Sequence, residues 1–414
     1  MRVVRRTSPF LKPFGGPGAD SNIVCFRFWQ AVVASGCPGA CAYCFLQTQE
    51  PYRTGLYALT GTLFENLHPR LERETRAWLA ASAAPEAGPR GLIVGENQDG
   101  LAFERPYKAL LGTSPLEVLV PLFASPATNP AGCRLVILSK FTTTELAEAA
   151  AAAAGLAPND RVVFSWSLSL PSIARRYERK VAPLARRLEA GARLKAAGWG
   201  VRFRLDALSP VEGWEEDVRE VVDAINAVGP EMVTLGSLRA SDARRLQGAA
   251  HKNGRDGAIF DALREKDPSG FKYRLDPDVQ AAMFRAVKDR LAPSIRLDLC
   301  KEDLSVWQRV GLTFTGCHCL AGAADPAVAE RIADGLAFGT LNAPGVRAST
   351  AALAGGVRDV AAVPAQDARE VGLVPMRGAV GARGLARPAG GTGAAAPVPP
   401  AAATPRRVRA STPS

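Results

Sequence analysis

The sequence predicts an α/β protein, a parallel sheet whose strands are joined by crossover helices. Two patterns carry that expectation. Short apolar runs rich in β-branched residues recur along the chain, and a longer stretch with helically spaced apolar residues follows each of them. With 414 residues, 47% of them hydrophobic, the chain can bury the core of one large domain or two ordinary ones.

The strands, in order, are "FWQAVVAS" at 28–35, "RGLIVG" at 90–95, "CRLVILS" at 133–139, "RVVFSWSL" at 161–168, "WGVRFRLDA" at 199–207 and "EMVTLGS" at 231–237. Thr142 to Glu145 reads as a capping box that opens an alanine-rich helix, which Gly155 and Pro158 close. Val181, Leu184, Leu188 and Leu194 mark the apolar face of the next helix, stopped by Gly198. Val218, Val221, Val222 and Ile225 mark another, stopped by Gly229. Six β/α units are too few for a closed eight-stranded barrel. The expected architecture is therefore an open, partial (β/α)6 barrel of the TIM type, with its chemistry at the C-terminal ends of the strands.

Residues 1–24 form an N-terminal segment and the barrel spans 25–240. Beyond it, 241–325 reads as a C-terminal subdomain with an amphipathic helix over 278–291, a further strand in "SIRLDLC" and a tight turn at "GCHCL". The tail, 345–414, is dominated by Ala, Gly, Pro and Arg; it cannot bury enough apolar surface to offset its ordering entropy, and disorder is expected. The net charge of +11 permits a polyanionic partner. Nine arginines and three acids lie from Gly345 onward, however, so six of those eleven charges belong to the tail.

The start of the chain lacks an apolar stretch ending in a small-residue cleavage site, and no run reaches the roughly 18 apolar residues needed to cross a bilayer. A soluble, cytoplasmic monomer is expected. In that reducing compartment the eight cysteines are metal ligands, reactive thiols or packing groups rather than a disulfide framework. Cys133, inside a strand, and Cys25 read as packing thiols.

The densest chemical signal is "ASGCPGACAYCFLQTQ" at 34–49, which places Cys37, Cys41 and Cys44 on one loop directly after the first strand. Thiolates select zinc, copper(I) or iron-sulfur clusters. A structural zinc site wants four ligands, usually in two separated pairs, whereas three cysteinates can hold three irons of a [4Fe-4S] cube and leave the fourth iron open to something other than protein. Pro38 and Gly39 suit the tight backbone such a loop requires. A structural zinc or packing triad is the alternative.

This spacing, its aromatic and its position resemble the radical S-adenosylmethionine enzymes. "GCPGACAYCFLQTQ" further resembles the cluster loop of the spore photoproduct lyase family, and "LVILSKF", "VVFSWSLS" and "SPVEGWEED" follow in the family's order, so that the resemblance covers roughly residues 25–300. It implies a partial TIM barrel of the radical SAM type holding a [4Fe-4S] cluster and S-adenosyl-L-methionine. In that family a 5'-deoxyadenosyl radical reverses a thymine-thymine photoadduct in DNA. It also implies a lyase with a role in DNA repair, supplied with electrons by a donor such as flavodoxin or ferredoxin. Cys37, Cys41 and Cys44 would be the metal ligands. Tyr43 would pack near the adenine, and Gln98, Asp99, Lys140, Ser167 and Ser169 would contact the cosubstrate. From the residues alone, Lys140 could equally cap a strand in solvent, and the two serines could satisfy local backbone groups.

Two departures bear on the reaction. Glu96 stands about where the family has the cysteine that returns hydrogen to the repaired thymine, and Phe45 stands where it has a tyrosine. Cys317 and Cys319 are candidate hydrogen donors; with Cys300 and His318 they are equally candidates for zinc or an auxiliary cluster, or are simply buried thiols. "SIARRYERKVAPLARR", with Arg175, Arg176, Arg179, Arg186, Arg187 and Tyr177, could track phosphates beside a stacking ring or form a solvated helix face. A radical enzyme for RNA or a peptide, and a non-catalytic iron-sulfur protein that binds nucleic acid, are the rival functions.

Overall fold

The computed structural model describes residues 1–13, 23–24, 28–47, 61–83, 91–252, 254–266 and 272–313. Eight strands form the main sheet: β1 (Leu11–Pro13), β2 (Trp29–Ala31), β3 (Gly91–Val94), β4 (Arg134–Ser139), β5 (Val162–Leu168), β6 (Gly200–Leu208), β7 (Met232–Ser237) and β8 (Arg296–Leu299). They lie side by side in sequence order. All neighbouring pairs from β2 to β8 are parallel, and β1 runs antiparallel to β2 along one edge. Pro13 is tolerated there because an edge strand has one unpaired side.

Helices fill the crossovers as the pattern predicted. They are α1 (Leu67–Ser82), α2 (Glu104–Leu111), α3 (Pro115–Ala124), α4 (Glu145–Ala153), α5 (Pro171–Tyr177), α6 (Leu184–Ala196), α7 (Trp214–Val228), α8 (Ala243–Lys252) and α9 (Pro277–Arg290), with α10 (Leu304–Val310) after the last strand. The count of strands needs correction. "SIRLDLC", expected beyond the barrel, supplies β8, which pairs with β7 through Thr234 opposite Asp298, so seven parallel strands are present rather than six. The predicted capping box at Thr142 is also absent. Thr144 is the N-cap of α4 and makes no cap bond. Its hydroxyl accepts instead from Arg193 Nη2 on α6 at 2.7 Å, because Arg193 is drawn to Glu148 of α4. The capping box that does form is Ser114 with Glu117, at the start of α3.

Strand alternation divides the sheet into two faces of different chemistry. One face packs beneath the helices: Leu92, Ile137, Phe164, Trp166, Phe203 and Val233 join Trp78, Phe123, Leu194 and Phe284 in the main core. The other, concave face carries a small separate apolar cluster of Phe28, Ile93, Val136, Leu138 and Val163. Further along the strands this inner face turns polar, with Ser165, Ser167, Arg204 and Thr234 in neighbouring register. The sheet curls until the loops beyond β3 and β8 touch, with Lys301 Nζ 2.5 Å from Glu96 Oε1. Among the described residues β8 does not pair with β1 or β2, so the barrel stays open. None of the described helices is long and apolar enough to cross a membrane.

Gly191 of α6 lies against this core. A Cβ added there would stand 2.6 Å from Cζ of Phe203, whose ring packs against Trp166 and cannot easily yield. Overpacking costs about 1–3 kcal/mol, against about 1 kcal/mol gained in helix propensity. Gly191→Ala is therefore expected to lower the thermal unfolding midpoint; an equal or higher midpoint would show that the ring can give way.

Candidate active site

The cysteine loop leaves the sheet just after β2, at the C-terminal ends of the parallel strands where the polar inner face opens. Gly36, at φ +81°, makes the bend, and a single bridge ties it to Gln98 beyond β3. Cys41 is buried, Cys37 and Cys44 are partly so, and all three are free thiols. Gly39 has little room: a Cβ there would lie 2.7 Å from Cγ1 of Val181 and 3.4 Å from Sγ of Cys37. The loop is laced to the chain after α5. Ala42 N donates to Tyr177 O at 2.9 Å, Lys180 N donates to Gly39 O at 3.3 Å, and Arg255 Nη1 reaches the carbonyls of Ala40 and Tyr177 at 3.0 and 3.2 Å.

Burial raises the pKa of all three thiols, and the other two thiols push that of Cys37 further up. Three thiolates crowded out of water need a cation, and a bound metal ion reverses this preference for the protonated form. Among the described residues no three His, Cys, Asp or Glu side chains already converge as a metal cage. The donor set nevertheless fits an iron-sulfur cluster: three soft ligands on one loop, bordered by buried polar groups.

Those groups meet at one carboxylate. Glu178, with 1% of its side chain exposed, accepts from Tyr43 Oη, from Ser169 Oγ at 2.6 Å, from Lys140 Nζ at 2.9 Å and from Arg187 Nη2. Lys140 also stands 5.6 Å over the ring of Tyr43, a cation held against the cysteine loop. Burial opposes ionisation of Glu178, but Lys140 and Arg187, aided by the hydrogen bonds from Ser169 and Tyr43, hold its carboxyl far below the usual range.

The structure thus gathers Tyr43, Lys140 and Ser169 beside the cysteines. Gln98 lies next to them, its amide donating to Ala31 O at 2.9 Å while its Oε1 is buried and makes no bond to the protein. Asp99 is engaged within the protein: its carboxylate accepts from Ser139 Oγ and from the backbone N–H groups of Leu101, Ala102 and Lys140, which orients the end of β4. Ser167 is half-buried on the inner face, opposite Arg204. Cys317, Cys319 and His318 lie outside the described residues, as do Cys25 and the tail.

Two members of the arginine-rich run are not where phosphate tracking would need them. Tyr177 is fully buried, and Arg187 is 1% exposed on Glu178. Glu178 carries no signal of its own in the sequence, because an acid among arginines reads as part of a solvated face; Arg187 reads there only as one of the cations that could track phosphates, and Arg255, in a second basic stretch, reads the same way.

The opposite side of the mouth holds a second polar group. Arg204 Nη2 is 3.1 Å from Sγ of Cys300 and 3.2 Å from Oδ2 of Asp206. Gly236 leaves space for that carboxylate, since a Cβ would stand 2.8 Å from Cγ of Asp206. Burial disfavours the ionised forms of Asp206 and Glu96, yet the surrounding cations, Arg204 and Lys301 among them, keep both carboxyls below their ordinary values. Burial raises the pKa of Cys300 and keeps it a thiol. A shallow groove between α7 and α9, lined by Glu215, Arg219, Asp289 and Arg290, lies apart from all these residues.

A curled, open parallel sheet that sets a three-thiol loop after its first parallel strand has counterparts among solved structures. Spore photoproduct lyase shares it: one solved mutant matches with a TM-score of 0.53 at 17% identity, over 72% of this chain and 80% of that one. The lyase complexed with dinucleoside spore photoproduct matches with a TM-score of 0.50 at 16% identity, over 66% and 75%. A double mutant with bound AdoMet and the same dinucleoside gives 0.51 at 16% identity, over the same shares. At such identities the likeness is one of fold. No family model matches the sequence, and neither does any curated protein.

Removing the charge of Glu178 leaves Lys140 and Arg187 buried without their partner. Glu178→Gln is expected to cost about 3 kcal/mol at neutral pH, as loss of one member of a buried ion pair does. The sign with pH follows from the depressed carboxyl: its contribution is complete above about pH 4.5 and is lost as the pH falls through the lower folded-state value. Denaturant unfolding of both proteins at pH 7 and pH 3 checks this, and a gap that does not narrow in acid would refute the assignment.

Proposed function

We propose that this chain is a radical S-adenosylmethionine enzyme that acts on nucleic acid, with a pyrimidine photolesion in DNA as the substrate. The observation that carries the reading is the three-thiol loop set at the mouth of the curled sheet, directly against the buried group of Tyr43, Lys140, Ser169 and Glu178. Cys37, Cys41 and Cys44 would hold a [4Fe-4S] cluster with one iron left free for the cosubstrate. When bound, the cluster and the sulfonium compound supply the one-electron chemistry that removes hydrogen from an unactivated carbon.

The chain's own residues prepare that step. Tyr43 and Lys140, pinned by Glu178, border the cosubstrate side of the mouth. Lys140 offers a cation to an amino-acid carboxylate, and the unbonded Oε1 of Gln98 offers an acceptor. Hydrogen bonds from Ser139 Oγ and Lys140 N keep Asp99 in place as the positioning group for Lys140. The substrate side is formed by Arg204, Asp206, Cys300 and the Glu96–Lys301 pair, a charged rim suited to a polar ligand such as a nucleotide. The lesion reading draws on the fold's likeness to a lyase solved with dinucleoside spore photoproduct, and the lyase class on the same likeness.

Anaerobically reconstituted protein given dithionite and S-adenosyl-L-methionine should release 5'-deoxyadenosine and methionine. Cys37→Ala, Cys41→Ala and Cys44→Ala should each lose most of the bound iron and reduce cleavage at least a hundredfold. Tetrahedral zinc in the wild-type protein, or a cluster that never cleaves the sulfonium, would refute the enzyme class. With deuterated irradiated DNA, deuterium should appear in the 5'-deoxyadenosine; exchange with RNA or a peptide instead would overturn the choice of substrate.

A further inference from the structure

The part of the arginine-rich run that stays on the surface is not needed to hold the site together. Arg175, Arg176, Arg179 and Lys180 are all exposed, whereas Ile173 and Tyr177, on the other side of the same turns, are fully buried in the core. Arg176 is paired with Asp256, an exposed contact worth little. Arg175, Arg179 and Lys180 enter no ion pair among the described residues. Four cations are thus gathered on a single short helix and its exit, with Asp256 as their one exposed acidic partner.

This patch is fastened to the cysteine loop itself. Lys180 N bonds to Gly39 O, between Cys37 and Cys41, and the carbonyl of Tyr177 accepts from Ala42 N, between Cys41 and Cys44. The loop also reaches solvent: Cys37 and Cys44 are partly exposed, and Phe45, the next residue, is 41% exposed. A redox group held by those thiols would sit on a loop bonded, through its backbone, to the segment that carries these cations.

We propose that Arg175, Arg176, Arg179 and Lys180 form the docking surface for an acidic one-electron carrier protein. This rests on the cluster reading above. In the encounter one electron would pass from the carrier's reduced flavin or iron-sulfur group, which would be oxidised, to the cluster that Cys37, Cys41 and Cys44 would hold, which would be reduced; no bond would form or break. Redox encounters use small interfaces and depend on charge steering for their rate, which suits a patch about 10 Å long. Single-stranded nucleic acid is the other polyanion to consider. It needs a cationic groove with a succession of stacking rings, whereas Tyr177 is buried and Phe45 offers a single exposed ring beside the patch.

The test uses full-length reconstituted protein, a purified flavodoxin in its hydroquinone form, a reduced [2Fe-2S] ferredoxin, and dithionite as the small reductant. The triple variant R175E/R179E/K180E should be reduced by dithionite to the same final extent as the wild type, which shows that the cluster and fold are intact. Its reduction by at least one of the two carriers should fall tenfold or more at low salt, and the rate should rise rather than fall as salt is added. The neutral variant R175Q/R179Q/K180Q should lie between. Carrier reduction unchanged in the triple variant would overturn the proposal, as would wild-type protein that accepts electrons from dithionite but from neither carrier. Loss of single-stranded DNA binding with carrier reduction intact would assign the patch to nucleic acid instead. Protein that forms no reducible cluster would refute the underlying reading, and this inference with it.

Discussion

A carboxylate with almost no contact with water must be surrounded by cations and donors, and the arrangement of this site follows from meeting that requirement at Glu178. Its two oxygens bind a lysine from the end of β4, an arginine from α6, a serine beyond β5 and the tyrosine of the cysteine loop. Four segments far apart in sequence are held to one point, and none can shift alone without leaving a buried charge exposed to its neighbours. The cysteine loop is thereby placed by ion pairing as well as by its own backbone bonds to the chain after α5.

The sheet supplies the second constraint. Its helix-facing side is apolar through most of each strand, while its concave side carries the apolar cluster of Ile93, Val136, Leu138 and Val163 on β3 to β5 and the polar side chains Ser165, Ser167, Arg202, Arg204 and Thr234 on β5 to β7. One element thus supplies both an apolar floor and a charged wall. The mouth is also divided laterally: thiols, Tyr43 and Lys140 border one side, and Arg204, Asp206 and Cys300 the other. The Glu96–Lys301 pair closes the curl between the ends of β3 and β8. A reaction that needs a reactive group and a polar substrate brought together can use both sides at once.

Most of the fold was legible in the sequence because its signals are local and periodic. β-Branched runs marked six of the strands, and the faces formed by Val218, Val221, Val222 and Ile225, together with the glycine after them, placed α7 and its end at φ +61°. The last parallel strand was seen as a strand yet set outside the barrel, since pairing with β7 is a long-range choice that a short run cannot announce. Thr142 illustrates the opposite error. Its local spacing matched a capping box, but the pull of Glu148 on Arg193 recruited Thr144 for a contact between helices.

The site divides along the same line. By itself the sequence determined the three thiols, their spacing on a loop after a strand, and the alternation that demands a parallel sheet, because ligand chemistry and hydrophobic period are written in neighbouring residues. Only the tertiary structure decided that Glu178 and Arg187, in a run that reads as solvent-facing, are buried at the centre, and that Tyr177 turns inward while Arg175 and Arg179 remain outside. The physical reason is that burying a charge depends on partners drawn from other elements, and those partners are brought together by the packing of the whole sheet rather than by any local pattern.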